Sequence, residues 1–263
     1  MRLGISSYTY PWATRLAAGE PGRMNAHDLI DQTRAFGLDV LQLADAVALH
    51  ALGDAEIDAI GAHAVRTGVS LELGTRAESA EQIQAYLTLA AQLNARLLRV
   101  SLRGQASAAA IELIGSAVPQ LEAVGMRLVL ETHETLRAQQ LLHIVETVAS
   151  PWVGVCFDTA NSLGCLEGAA QVFATVARHI VNVHIKDVRA RRNADNSGFV
   201  IEGVPAGQGQ IDLPDLFAQL RALDRPLSLI LENWVPGEAT LAATLEKERL
   251  WAAEGVAYCR GKV

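Results

Sequence analysis

Four apolar runs from the middle of the chain onward each close on a side chain of a type that binds metal ions: LVLE on Glu131, VGVCFD on Asp158, VNVH on His184 and LILE on Glu232. One acid at one strand end reads as well as a loop or helix cap as it does as a ligand. Four in succession are harder to explain that way, because like charges gathered at one mouth repel and raise each other's pKa. A divalent cation resolves that conflict. Three oxygens and one nitrogen suit a moderately hard ion, so Mn2+ or Mg2+ is expected ahead of Co2+ or Zn2+. Four protein ligands leave a six-coordinate ion room for two substrate oxygens, which suits chemistry on a vicinal hydroxy-carbonyl group.

These residues meet only if a fold brings the ends of their strands together. Short apolar runs rich in β-branched residues recur at 3–7, 40–44, 69–73, 97–102, 127–131, 153–158, 180–186 and 227–232, with amphipathic stretches such as 55–66, 80–93 and 108–124 between them. That alternation produces parallel strands joined by crossover helices. Gly37, Gly68 and Gly125 follow helical stretches, as left-handed closing residues do, and Asp212 with Pro214 reads as a helix start. An open doubly wound sheet would want a phosphate-binding glycine loop after the first run, where the chain has Ser6-Ser7-Tyr8-Thr9-Tyr10-Pro11-Trp12. Gly207-Gln208-Gly209 lacks the strand-turn-helix setting of such a motif. No linker or composition shift interrupts the series, so residues 1–263 are expected to form one α/β domain, a single (β/α)8 TIM barrel.

The segments Leu130-Glu131-Thr132-His133, Phe157-Asp158-Thr159-Ala160-Asn161, His184-Ile185-Lys186-Asp187 and Leu231-Glu232-Asn233, in this order on strands five to eight, resemble the xylose isomerase-like TIM barrel superfamily of sugar isomerases and epimerases. The resemblance covers nearly the whole chain. Its ketose 3-epimerase branch implies that Glu131, Asp158, His184 and Glu232 bind one metal ion. It also implies that Glu131 and Glu232 act as an acid/base pair on opposite faces of a sugar. Epimerases usually carry a histidine where this chain has Asn161, so any contact of Asn161 with a substrate hydroxyl is altered. The third run lacks the histidine common in the DNA-repair endonucleases of the superfamily, which need several zinc ions. Within the long connection at 188–210, the stretch from Gly198 to Gly209 has the length of a lid, and its wording also resembles a branch associated with decarboxylation of 3-oxo sugar acids such as 3-oxo-isoapionate.

The chemistry expected is removal of a C–H proton next to a carbonyl, with the resulting enediolate stabilised by the metal ion. Glu131 and Glu232 would exchange the proton in an isomerisation or epimerisation. Decarboxylation or dehydration of a 3-oxo sugar acid is the alternative, and a non-catalytic sugar-binding barrel with a decayed metal site is a second. Lys186 stands out because only three of the 22 basic residues are lysines and this one closes an apolar run. It shares a strand face with His184 and reads either as a partner for the mouth acids or Asp187, or as a contact for a substrate carboxylate. His133, Asn161, Trp12 and Arg103 complete the candidate substrate-binding set. Glu72 reads as a pocket residue or as the partner of an arginine.

Composition narrows the field further. A chain that is 50% hydrophobic and 19% charged must bury a large core, and 21 Gly and 8 Pro without a period exclude a disordered or collagen-like protein. The formal charge of -7 argues against a nucleic-acid partner, and therefore against the endonucleases. Three cysteines without a metal-ligand spacing suggest a reducing, cytoplasmic setting. No run approaches the length of a membrane span, and none near Met1 reads as a signal peptide. The expected partner is a small carbohydrate, and a helix over 241–258 bearing Trp251 could support a homodimer.

Overall fold

The computed structural model describes residues 1–77, 79–102, 104 and 107–263. In chain order the strands are β1 (Arg2–Ser6), β2 (Val40–Leu43), β3 (Ser70–Ala77), β4 (Leu97–Leu102), β5 (Arg127–Glu131), β6 (Val153–Asp158), β7 (Ile180–Ile185), β8 (Asp187–Arg192), β9 (Phe199–Val204) and β10 (Ser228–Leu231). All but β8 and β9 pair in parallel and close into a barrel of order β1-β2-β3-β4-β5-β6-β7-β10. Outside it lie α1 (Ala26–Ala35), α2 (Asp54–Thr67), α3 (Ala80–Gln92), α4 (Ser107–Val124), α5 (Ala138–Val148), α6 (Ala169–Val176), α7 (Leu213–Ala222) and α8 (Leu241–Arg260). This is the (β/α)8 barrel expected from the alternating pattern.

Local chemistry explains where the elements stop. Asn25 accepts the backbone N–H groups of His27 and Asp28 at the start of α1, and Asp212 accepts that of Asp215 at the start of α7, with Pro214 in the first turn. Gly68 ends α2 at φ 71°, a left-handed conformation that costs glycine little. Along each barrel strand successive side chains alternate between two environments. Leu98, Val100, Leu128, Leu130, Val155 and Phe157 face the helices and belong to one continuous apolar core, while Leu97, Val129 and Cys156 form a small separate group inside the barrel. Much of the remaining interior is polar. Gln42 on β2 reaches Asn182 and His184 on β7, and Asn182 reaches Glu72 on β3, so a hydrogen-bonded column stands where apolar layers usually fill this fold.

The connection after β7 departs from the expected loop. Its first half, β8, pairs antiparallel with β9 from Asp187↔Val204 to Arg192↔Phe199. The ribbon is solvated over most of its length: β8 carries exposed Arg189, Arg191 and Arg192, and Phe199 and Ile201 of the short apolar run in β9 are exposed as well, so neither strand has the buried pattern of the barrel strands. Arg191 pairs with Glu202 across it at 2.6 Å. At its base the Asp187 carboxylate accepts N–H groups from Val188, Gly207 and Gly209 at 2.8–3.0 Å, tying both ends of the excursion to β7.

Candidate metal centre

Strands β5, β6, β7 and β10 are consecutive neighbours in the barrel, so the residues at their C-terminal ends converge. Glu131 and Asp158 close β5 and β6, His184 lies one residue before the end of β7, and Glu232 follows β10 directly. One ligand atom from each lies within 4.8 Å of the others, and all four side chains are buried. His184 Nδ1 stands 2.9 Å from Glu131 Oε1 and 3.6 Å from both Asp158 Oδ2 and Glu232 Oε2. Three carboxylate oxygens and an imidazole nitrogen aimed at one volume form a donor set that fits a single divalent ion. The decayed-site reading requires a missing ligand, and the structure brings all four together.

Lys186 supplies a cation at the same place. Its Nζ lies 2.5 Å from Asp158 Oδ2 and 2.7 Å from Glu232 Oε2, and 5.7 Å from the centre of the Trp234 ring. It is therefore the partner of the mouth acids and not of Asp187, whose carboxylate is engaged by backbone amides. The buried charges shift one another. Burial alone would raise the Glu131 pKa, but Arg99 above all, with help from His184 and Lys186, holds it well below the usual carboxylate range. Asp158 is also lowered, burial being outweighed by Lys186 and His184. Burial disfavours a charged imidazole, yet Cys156, Glu232 and Asp158 push the His184 pKa well above the ordinary value.

A second set of residues touches the four ligands from behind. Ser6 Oγ donates to Glu232 Oε1 at 2.9 Å, and Arg99 Nη1 lies 3.4 Å from Glu131 Oε2. The guanidinium packs against Gly74 of β3, where a Cβ would come within 2.7 Å of it. Gln42 Oε1 meets His184 Nε2 at 2.9 Å, and the N–H groups of Ala160 and Asn161 donate to Asp158 Oδ1 at 2.8 Å each. Sequence reasoning missed Ser6 and Gln42, short or neutral residues with no spacing signal, and gave Arg99 no specific partner. Glu72 accepts hydrogen bonds from Gln42 and Asn182, and Arg2 acts on it only through charge.

A cavity of about 680 Å³ opens over Glu131, Lys186 and Glu232. Trp12 forms part of its wall, with its indole N–H held by the Val235 carbonyl at 2.8 Å, and Trp234 stands nearby. Arg15 and Arg76 reach its rim, and Ile201 and Glu202 bring the β8–β9 ribbon to its edge. His133 is half-buried in the cavity wall beside Glu134, and Asn161 also lines the cavity while donating to Glu131 Oε1 at 3.2 Å. Arg103 lies outside the described residues. A larger hollow, about 920 Å³, opens at the opposite end of the barrel beside Arg2 and Glu72. Among the described residues only the mouth gathers three or more metal-binding side chains at ligand distance. No helix of the described residues is long and apolar enough to cross a membrane.

Comparison with known proteins agrees with this architecture. A model of the xylose isomerase-like TIM barrel family matches residues 25–260. A 3-oxo-isoapionate decarboxylase from Pectobacterium atrosepticum is 30% identical over 262 residues, spanning 98% of this chain and 94% of that protein. Among solved structures, a D-psicose 3-epimerase crystallised with D-fructose superposes with a TM-score of 0.74 at 15% identity, over 100% of this chain and 99% of its own. A xylose isomerase-like TIM barrel protein from Mycobacterium smegmatis in complex with magnesium gives 0.68 at 15% identity, with 97% of each chain covered.

Proposed function

Since the chain belongs to the xylose isomerase-like TIM barrel family, we propose that it is a divalent-metal-dependent enzyme of small polyhydroxylated carbonyl compounds, and that its reaction is decarboxylation of a 3-oxo sugar acid. The observation that carries this reading is the buried convergence of Glu131, Asp158, His184 and Glu232 beneath a cavity that also presents Lys186. The 30% identical decarboxylase supports the choice of reaction. We take the site to be built within one domain spanning residues 1–263.

A divalent ion held by the four ligands would supply Lewis-acid stabilisation of the negative charge that develops on adjacent substrate oxygens. The Lys186 ammonium, between the carboxylates and Trp234, would seat the substrate carboxylate. Arg15 and Arg76 at the rim add positive charge along the way in. As the carbon–carboxylate bond breaks, its electron pair moves onto the neighbouring carbonyl oxygen to give an enediolate, and carbon dioxide departs. Glu232, having taken up a proton from solvent, then delivers it to the carbon that has lost the carboxylate. Trp12 and Trp234 give the sugar an apolar wall.

Isomerisation or epimerisation is the second reading, favoured by the presence of two glutamates, Glu131 and Glu232, on either side of His184 within the same cluster. It uses the same enediolate, formed by loss of a proton instead of carbon dioxide. Proton and carbon NMR in deuterated water, with Mn2+- or Mg2+-loaded protein, separates the two. Loss of the carboxyl carbon from a 3-oxo sugar acid, with deuterium entering the product, is the expected result. Deuterium entering a ketose with no carbon lost would transfer the assignment to the second reading. Neither change across both substrate classes would overturn the proposal.

A further inference from the structure

We infer that Gln42 is a positioning residue: its amide oxygen keeps a proton on Nε2 of His184, so that Nδ1 is the nitrogen offered to a metal ion. This rests on the reading of His184 as a ligand. The direction of the hydrogen bonds follows from a chain of partners that leaves no choice of orientation. Asn182 lies on β7 two residues before His184, and its Nδ2 faces the Ser228 carbonyl at 3.4 Å, Ser228 Oγ at 2.7 Å and Glu72 Oε2 at 3.2 Å. A backbone carbonyl only accepts, which makes that end of the side chain the NH2 group. Its Oδ1 therefore points the other way, toward the Cys156 thiol at 3.0 Å and Gln42 at 3.3 Å.

Gln42 then faces two acceptors with one end, Asn182 Oδ1 and Glu72 Oε2, the latter at 3.1 Å. That end must be its NH2 group. Its other end, the carbonyl oxygen, lies 2.9 Å from His184 Nε2, and because this oxygen can only accept, Nε2 must carry hydrogen. Gln42, Asn182 and His184 are each fully buried, so no solvent hydrogen bond can substitute for a member of the chain. The alternative it suppresses is specific. Glu131 Oε1 is 2.9 Å from Nδ1, and a ring that kept its proton on Nδ1 alone would donate to that carboxylate and withhold the nitrogen a metal needs. Glu72 and Asn182 thus act on the site through Gln42, from within the barrel.

Three variants and one spectrum test this. Calorimetric titration with Mn2+ should give a dissociation constant raised roughly 10- to 100-fold in Gln42→Met, which keeps the length and loses the acceptor. Gln42→Glu combined with Glu72→Gln, which keeps an acceptor oxygen on Nε2 and leaves a single carboxylate in the column, should stay near wild type, and Asn182→Leu, which removes one acceptor of the Gln42 NH2 group, should fall between that double variant and Gln42→Met. Equal affinity in wild type and Gln42→Met would overturn the inference. Should Gln42→Met fail to fold, 15N NMR of histidine-labelled wild-type protein decides alone. With Mg2+ bound, His184 should show hydrogen on Nε2 and none on Nδ1, and the reverse pattern would refute the role of Gln42. If wild type takes up no metal, the ligand reading fails separately. The same spectrum of chelator-treated protein, followed to a pH at which the ring has lost one proton, still tests Gln42: the remaining hydrogen is expected on Nε2, and Nε2 found without it would refute the role.

Discussion

The two halves of the barrel reach the mouth with different chemistry. Strands β5, β6, β7 and β10 deliver Glu131, Asp158, His184 and Glu232, side chains whose ionisable groups point at one another. Strands β1, β2 and β4 deliver Ser6, Gln42 and Arg99, each in contact with one of those four from the other side. The first group concentrates negative charge where it is unstable without a cation. The second fixes the direction in which the lone pairs of Glu232, His184 and Glu131 point, while Asp158 is held by the backbone N–H groups of Ala160 and Asn161. A ligand set needs only the right atoms within reach, whereas a ligand set with a defined geometry needs partners from across the barrel, and a closed sheet provides both.

Variants in the two halves should therefore fail differently. The largest effect is expected in the ligand half: Glu232→Gln keeps the volume but removes an acid/base group and a charged ligand, and turnover measured by initial rates should drop about 10²–10⁴-fold. Activity close to wild type would place proton transfer elsewhere. In the supporting half, Arg99→Met leaves the Glu131 carboxylate buried without its guanidinium, and breaking such a pair costs about 3–5 kcal/mol. Urea unfolding of chelator-treated protein measures this, and a loss below ~1 kcal/mol would show that Arg99 matters little to the fold. Ser6→Ala removes one hydrogen bond to the Glu232 carboxylate and should cost about 1.5–3 kcal/mol in the same assay, with the fold intact.

The smallest effect is expected away from both halves. Glu248 of α8 is buried and accepts the N–H groups of Trp12 and Ala13 at 2.6 and 3.1 Å, holding the segment that carries the cavity-wall tryptophan. Burial raises its pKa from the ordinary 4.5 to about 7. The folded state then binds more protons than the unfolded state between those two values, so this group makes stability fall as pH rises through that window and leaves it level above. Glu248→Gln should remove that slope, so the stability difference between variant and wild type shifts in the variant's favour from pH 5 to pH 8. A pH-independent difference would contradict the assignment.

The sequence was informative where a residue's type and its place at a strand end coincide. The bounds expected for β4, β5 and β6 coincide with the observed ones, and the four ligands are all strand-terminal acids or a histidine after an apolar run. The family resemblance fits the same residues. The supporting half was silent because its members are ordinary within their own strands. Gln42 and His184 are separated by 142 residues, and nothing near Gln42 announces the contact. The β8–β9 ribbon is hard to see in sequence because β8 is charged, the run Phe199-Val200-Ile201 in β9 is short, and what holds the two strands is their mutual pairing and the Asp187 anchor at the base. Lys186 was visible as an isolated lysine, but its choice of Asp158 and Glu232 over the adjacent Asp187 depends on where the following turn sends the Asp187 carboxylate.

The central claim is that the mouth of the barrel holds one divalent ion through Glu131, Asp158, His184 and Glu232. Calorimetric titration of chelator-treated protein with Mn2+, run beside His184→Ala, tests it most directly. One ion bound per chain in the wild type, with binding lost in His184→Ala, is the predicted result. A wild-type protein that takes up none of Mn2+, Mg2+ or Co2+, or a variant that binds as well as wild type, would contradict it.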